Sequence, residues 1–150
     1  MQATAAELEA FIESHVPALR ALPEKGMSFK PLPAKWSRKE IIGHLIDSAE
    51  TNIRRFVVAQ YEDRPLIVYN QDRWVAIANY QQWETADLVN LWYLLNKQAV
   101  EIIKNTKPEM ARRQCLAGEP QTIEWLAADY IKHLRHHIHQ VLDLDAVAYP

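Results

Sequence analysis

Four stretches of this chain carry apolar residues at every third or fourth position, with little inside them that can break a helix. One runs from Thr85 to about Asn105 without a glycine or proline, with Leu88, Leu91, Trp92, Leu95, Ala99, Ile102 and Ile103 on one face. That spacing fits the 3.6-residue turn of an α-helix and not the two-residue alternation of a strand. Only three glycines occur among the 150 residues. So few positions of free backbone argue against a many-turned β fold.

The other three stretches have their own punctuation. The first is expected to begin at Thr4, with Glu7 three residues on in a capping-box pattern, followed by Leu8, Phe11, Ile12, Val16 and Leu19. It should end near Leu22-Pro23, and Pro17 should kink or split it. Pro23, Gly26, Pro31 and Pro33 then mark an irregular connection to Trp36. Ser37 and Glu40 form a second capping-box pattern before Ile41, Leu45, Ile46, Ala49, Ile53, Phe56 and Val57, a helix reaching about Gln60. The last stretch is capped by Thr122, presents Ile123, Leu126, Ala127, Tyr130, Leu134, Ile138 and Val141, and ends near Leu144.

Between the second and third helices, residues Tyr61 to Trp83 lose the period; a short helical turn is expected at Trp74 to Ala78. A link of roughly 20 residues is long for a compact domain. It can cross a bundle and join two parallel helices. Long helices with one apolar stripe each must bury the stripes on one another. The expected fold is therefore all-α: one domain over residues 1–150, a four-helix bundle with a long crossover between helices 2 and 3.

Charge and cysteine usage narrow the function. A net charge of −2 and the absence of any Lys/Arg-rich run argue against a nucleic-acid partner. No apolar run reaches the ~20 residues needed to span a bilayer, and no secretion signal is visible at the start of the chain. A single cysteine, Cys115, precludes an intrachain disulfide and fits a reducing compartment. The expected location is the cytoplasm, with no membrane partner.

The histidines are the chemically informative residues. Of six, His133, His136, His137 and His139 crowd onto the last helix, while His15 and His44 lie in the first half. Side chains four apart on a helix differ by about 40° in direction and ~6 Å in height. His133 and His137 can therefore share one ion, the geometry that H-E-x-x-H metalloproteases use. Neutral imidazole suits Zn, Ni, Fe or Cu. His136 and His139 point elsewhere and read as solvated. His44 sits on the apolar side of the second helix, after Gly43, whose missing side chain allows a close approach. Taken alone, His44 reads as a hydrogen-bonded core histidine or as a third ligand. Asp47 and Asp129 lie about a turn from these histidines and are candidates to orient them or to add a ligand, although a capping, surface or salt-bridged role fits each at least as well. Gln140, three residues beyond His137, can hydrogen-bond at the site or face solvent. A di-iron carboxylate bundle would want Glu-x-x-His pairs on two helices, and none is present.

Two segments carry a family resemblance. Lys35-Trp36-Ser37-Arg38-Lys39-Glu40-Ile41-Ile42-Gly43-His44-Leu45-Ile46-Asp47 resembles the Trp-Ser-x-x-Glu-x-x-x-His entry into helix two of the DinB/YfiT-like superfamily. Asp129 to Gln140 is similar to that family's H-x-x-x-H-x-x-Q on its last helix, and the Tyr69 to Val75 stretch looks like a subgroup of it. The resemblance covers almost the whole chain. It implies a four-helix bundle with an unusual crossover topology. It also implies a histidine triad, carried here by His44, His133 and His137, holding nickel, zinc or a similar divalent ion. It further implies a small-molecule substrate, a homodimer, and in some members a low-molecular-weight thiol as co-substrate. Three protein nitrogens leave a coordination position open, the arrangement of a catalytic metal.

The expected function is thus a metal-dependent enzyme that activates a thiol or water for transfer to, or hydrolysis of, a small electrophile. The alternative is a non-catalytic metal- or small-ligand-binding bundle with a stress-response role. Cys115, in an expected loop, reads as an ordinary thiol. Arg54, Arg55 and Arg73 are candidates to bind an acidic substrate, with a solvated face as the plainer reading. Trp74, in the aperiodic crossover, is a candidate lid.

Overall fold

The computed structural model describes residues 1–149. Four long helices dominate: α1 (Gln2–Arg20), α2 (Arg38–Val58), α4 (Thr85–Asn105) and α6 (Ile123–Val141). Between them lie α3 (Gln71–Ala78), a 3₁₀ turn (Tyr80–Gln82), the one-turn α5 (Pro108–Ala111), and the strands β1 (Gln114–Leu116) and β2 (Pro120–Thr122).

Helix α2 packs on α4 and α6, and α1 packs on the same two. Consecutive helices α1 and α2 are therefore diagonal in the bundle. Side-chain pairs give the directions. Gln60 near the end of α2 meets Thr106 just past the end of α4, and Lys39 near the start of α2 meets Trp83 just before α4. So α2 and α4 run parallel, as the long crossover requires. His44 and Ser48 reach His133 while Arg38 pairs with Asp143, so α6 runs antiparallel to α2.

The expected stripes form the core. Leu8, Ile12, Leu19, Leu45, Phe56, Leu88, Trp92, Ile103, Leu134 and Val141 are all fully buried. Each such side chain contributes about 1.5–3 kcal/mol of apolar burial. At the start of α2, Ser37 Oγ accepts from the Glu40 N–H at 3.2 Å and Glu40 Oε2 accepts from the Ser37 N–H at 2.7 Å. This capping box fixes where α2 begins, and hence where His44 points.

Several expectations need correction. Helix α1 starts at Gln2 with Met1 as its cap, and no Thr4 capping box forms; two more good helix formers simply extend the helix. Pro17 neither splits nor ends α1. It is exposed and in the last turn, so the one carbonyl it leaves without an N–H faces water. The crossover helix α3 begins at Gln71, earlier than expected, because the Asn70 side chain caps the Arg73 N–H at 3.0 Å. It ends at Asn79 in the left-handed region, φ 51, which asparagine tolerates.

The connection before α6 is not an open loop but a small antiparallel hairpin, turning at Gly118 with φ 105. Leu66 bridges to Leu116 and ties the start of the crossover to it. Cys115 lies on β1, fully buried, with its thiol against the Pro65 carbonyl at 3.2 Å. Burial pushes its pKa up. The loop placement expected from the sequence is therefore overturned, and the thiol is held in its unreactive form.

Candidate metal centre

His44 projects from α2, and His133 and His137 from α6. Their rings form a near-equilateral triangle, with centroids 4.9, 4.9 and 4.6 Å apart and planes at 77–82°. One nitrogen from each ring lies within 4.8 Å of the others, and this is the only such His/Cys/Asp/Glu cluster among the described residues. His44 Nε2 and His133 Nε2 are 2.9 Å apart. Two nitrogens bound to one ion at bonds of ~2.05 Å would stand about 2.9 Å apart at a right angle and about 3.3 Å apart at the tetrahedral angle. The third ring would have to close in on this pair to complete the set around a single ion.

The hydrogen bonds at the far side of the rings determine which nitrogens are free. The Val147 carbonyl can only accept, so His136 Nδ1 carries the proton that bonds to it at 2.6 Å. His136 Nε2 is then an acceptor and takes an N–H from Gln140 Nε2 at 2.8 Å. That orients the amide so that Gln140 Oε1 accepts from His137 Nδ1–H at 2.9 Å. His137 is left with its Nε2 lone pair facing the triangle. Ser48 Oγ lies 3.3 Å from His133 Nδ1 and can accept its proton, freeing His133 Nε2 in the same way. The second nitrogen of His44 is buried without a partner. With its proton on Nδ1, two Nε2 lone pairs confront each other at 2.9 Å, an arrangement that a cation relieves. The donor set and its tautomers fit one divalent ion.

Electrostatics agree. Burial, followed by the neighbouring His137, pushes the His44 pKa down to about 3. Burial, followed by His137, His44 and His136, takes His133 to about 2. His137 is lowered as well, again chiefly by burial. All three rings are neutral near pH 7, as ligands must be. In the unfolded chain they would titrate near 6.5. The unfolded state therefore binds more protons between about pH 6.5 and 3, and stability must fall as pH falls through that window. Asp47, raised to about 6 by burial, acts in the opposite sense as one group against three. Chelator-treated protein is expected to show a lower denaturant midpoint at pH 5 than at pH 7. A midpoint that stays level or rises on acidification would contradict the buried neutral triad.

The other candidate residues are placed unevenly. Gln140 sits directly on His137. Asp129 lines the cavity beside His133, with one oxygen accepting from the Tyr149 hydroxyl at 2.7 Å. Asp47 is buried one turn from His44 but accepts from Tyr80 at 2.5 Å, and its other oxygen has no partner. Trp74 is not in the lining of the cavity; its ring packs on Tyr69, which is. The aromatic rings against the triad are those of Trp36, 4.8 Å from the His44 ring, and Tyr149, 5.3 Å from the His133 ring.

His136 and His139 do not simply face water: each holds a carbonyl of the returning tail, Val147 and Asp145. The sequence reading also passed over Ser48, although it stands four residues after His44, the same one-turn spacing that picked out His133 and His137.

Two cavities adjoin the triad. One of about 190 Å³ is lined by His44 and His133 together with Ser48, Asn52, Arg55 and Tyr69. A larger groove, about 920 Å³, touches the site through Trp36 and Gln140 and is bordered by Phe29, Leu32, Lys35 and Arg38.

Comparison with known proteins gives a consistent picture of the fold. A family model described as the DinB superfamily matches residues 6–141. YfiT from Bacillus subtilis, described as a probable metal-dependent hydrolase with an unusual four-helix bundle topology, superposes with a TM-score of 0.83 at 18% identity. That match covers 93% of this chain and 82% of YfiT. The mycothiol-dependent maleylpyruvate isomerase superposes with a TM-score of 0.71 at 15% identity over 97% of this chain. The chain spans 60% of that isomerase's length. No curated protein sequence matches.

Proposed function

The chain belongs to the DinB superfamily, and from that premise we propose that it is a metal-dependent enzyme in which His44, His133 and His137 hold one divalent ion, zinc or nickel, facing a small-molecule site. The observation that carries this reading is the cluster of three neutral imidazoles from two helices, the tautomers of His137 and His133 being fixed from behind by Gln140 and Ser48. Such an ion, when bound, lowers the pKa of a water or thiol beside it to near neutrality.

The protein's own groups do the rest. Gln140 and Ser48 keep His137 and His133 in the tautomers that present Nε2. Trp36 shields the His44 ring from one side. Asp129, beside His133 in the cavity, is available to hold or move a proton. Three protein donors leave room for a guest on the ion, unlike a four-ligand structural site. No helix among the described residues is long and apolar enough to cross a membrane, and the two cavities suit small molecules. The reaction class is transfer of a low-molecular-weight thiol to an electrophile, or hydrolysis of one.

The test is zinc- or nickel-loaded protein incubated with a small electrophile, alone and with a panel of low-molecular-weight thiols. Turnover that is lost in His133→Ala is expected. Tight ligand binding without turnover across the panel would refute the enzyme reading in favour of a binding protein.

A further inference from the structure

Arg55 is the cationic side chain in the cavity that His44 and His133 line. It shares one face of α2 with His44, Ser48 and Asn52, at offsets of four, eight and eleven residues from His44. Eleven residues are about three turns and ~16 Å of rise, and helical side chains lean back toward the N-terminus. The guanidinium is thus directed from the far end of the cavity toward the triad.

Its partners are neutral. Nε donates to the Ile67 carbonyl at 3.0 Å, and one Nη donates weakly to Asn52 Oδ1 at 3.4 Å. The other donors of the fork have no protein acceptor among the described residues, and no carboxylate there lies within ion-pair distance of it. Asp129 in the same cavity acts on it only from beyond ion-pair distance, and a half-buried guanidinium with no directly paired anion is costly to keep. Pinning Ile67 alone would need a single N–H.

We propose that Arg55 is the recognition residue for a carboxylate on the substrate or thiol co-substrate, held at the end of the cavity away from the metal. The proposal deepens the function above and rests on it for the chemistry, though not for the binding. A single negative charge fits better than a phosphate dianion, because the carboxyl of Asp129 shares the cavity. The small volume suits a short carboxylate or the acidic end of a longer molecule. The planar fork matches a carboxylate through two parallel bonds.

The probe is butyrate against butyramide, which differ in charge and little in shape. Each is titrated by NMR into full-length protein, chelator-treated and zinc-loaded, with zinc content measured separately. Butyrate is expected to bind about tenfold or more tightly than butyramide in both forms, the value of a hydrogen bond to a charged group. Arg55→Met is expected to erase that preference while zinc content stays at the wild-type level. Equal affinities for the two probes in the wild-type protein would overturn the proposal. So would full butyrate affinity in zinc-loaded Arg55→Met, since the carboxylate would then sit on the ion. Should Arg55→Met not fold, the wild-type ratio in the metal-free protein decides the matter. Failure to hold zinc would count against the metal centre and leave the metal-free titration intact.

Discussion

Gly43→Ala is expected to destabilise this protein, although the same change in the middle of an ordinary helix stabilises it by up to about 1 kcal/mol. The sign reverses because of one neighbour. A Cβ added at Gly43 would lie 2.0 Å from Tyr80 Cδ2, 2.2 Å from Cγ and 2.5 Å from Cε2. These are ring atoms of a buried residue whose hydroxyl is tied to Asp47, so the ring cannot slide aside without breaking that bond. Overpacking of this kind costs about 1–3 kcal/mol, and losing a hydrogen bond to a buried carboxyl adds about 1.5–3 kcal/mol. For a chain of this length that is a fall in Tm of roughly 5–24 °C. Thermal unfolding checks it, and Gly43→Ala combined with Tyr80→Ala isolates the cause. The double variant should lose clearly less than the two single losses added together, because alanine at position 80 makes room for the new methyl. An unchanged Tm in Gly43→Ala would mean that the crossover is not packed on α2 as described.

This glycine also marks where the sequence stops being legible. Its place beside His44 invites the idea of a close approach, but the group that approaches is Tyr80, brought back over α2 by the crossover. Nothing local to Gly43 announces that. The helices were readable because their signals are local. Thr85–Asn105 has no breaker and an uninterrupted stripe, and its bounds match those expected. Ser37 and Glu40 cap α2 as their spacing says. The pair His133 and His137 follows from the pitch of a helix, whereas the third corner, His44, rests on motif resemblance and on two helices meeting.

The hairpin at Gln114–Thr122 escaped because three-residue strands carry no period to read, and with it went the burial of Cys115. Trp74 reads as the aromatic lid because its segment is aperiodic, yet the rings at the triad are those of Trp36 and Tyr149. Trp36 occupies the position before the α2 cap and lines the larger groove together with Ile41 at the fourth helical position, the sites a hydrophobic staple uses. The roles of His136 and Tyr149 depend on a tail folding back along α6, which no helical pattern encodes.

His44→Ala and His133→Ala are each expected to weaken zinc binding by more than about 100-fold, above the 10–100-fold typical of losing only a group that orients a ligand. Gln140→Ala, which leaves all three histidines in place, is expected to fall within that lower range. Two imidazoles on α6 alone offer an ion a pair of donors one turn apart, while His44 Nε2, 2.9 Å from His133 Nε2, completes a set that no other described His, Cys, Asp or Glu can replace. Loss of His44 or His133 also removes a side chain from a site whose remaining rings were buried at the expense of solvation, so the void admits water that competes for the ion.

The most direct measurement is elemental analysis of wild-type, His44→Ala and His133→Ala proteins, each equilibrated with zinc and then passed through a weak chelator. The triad requires one zinc per chain in the wild type and essentially none in either variant, with all three still folded. One zinc per chain in all three proteins, or none in the wild type, would contradict it.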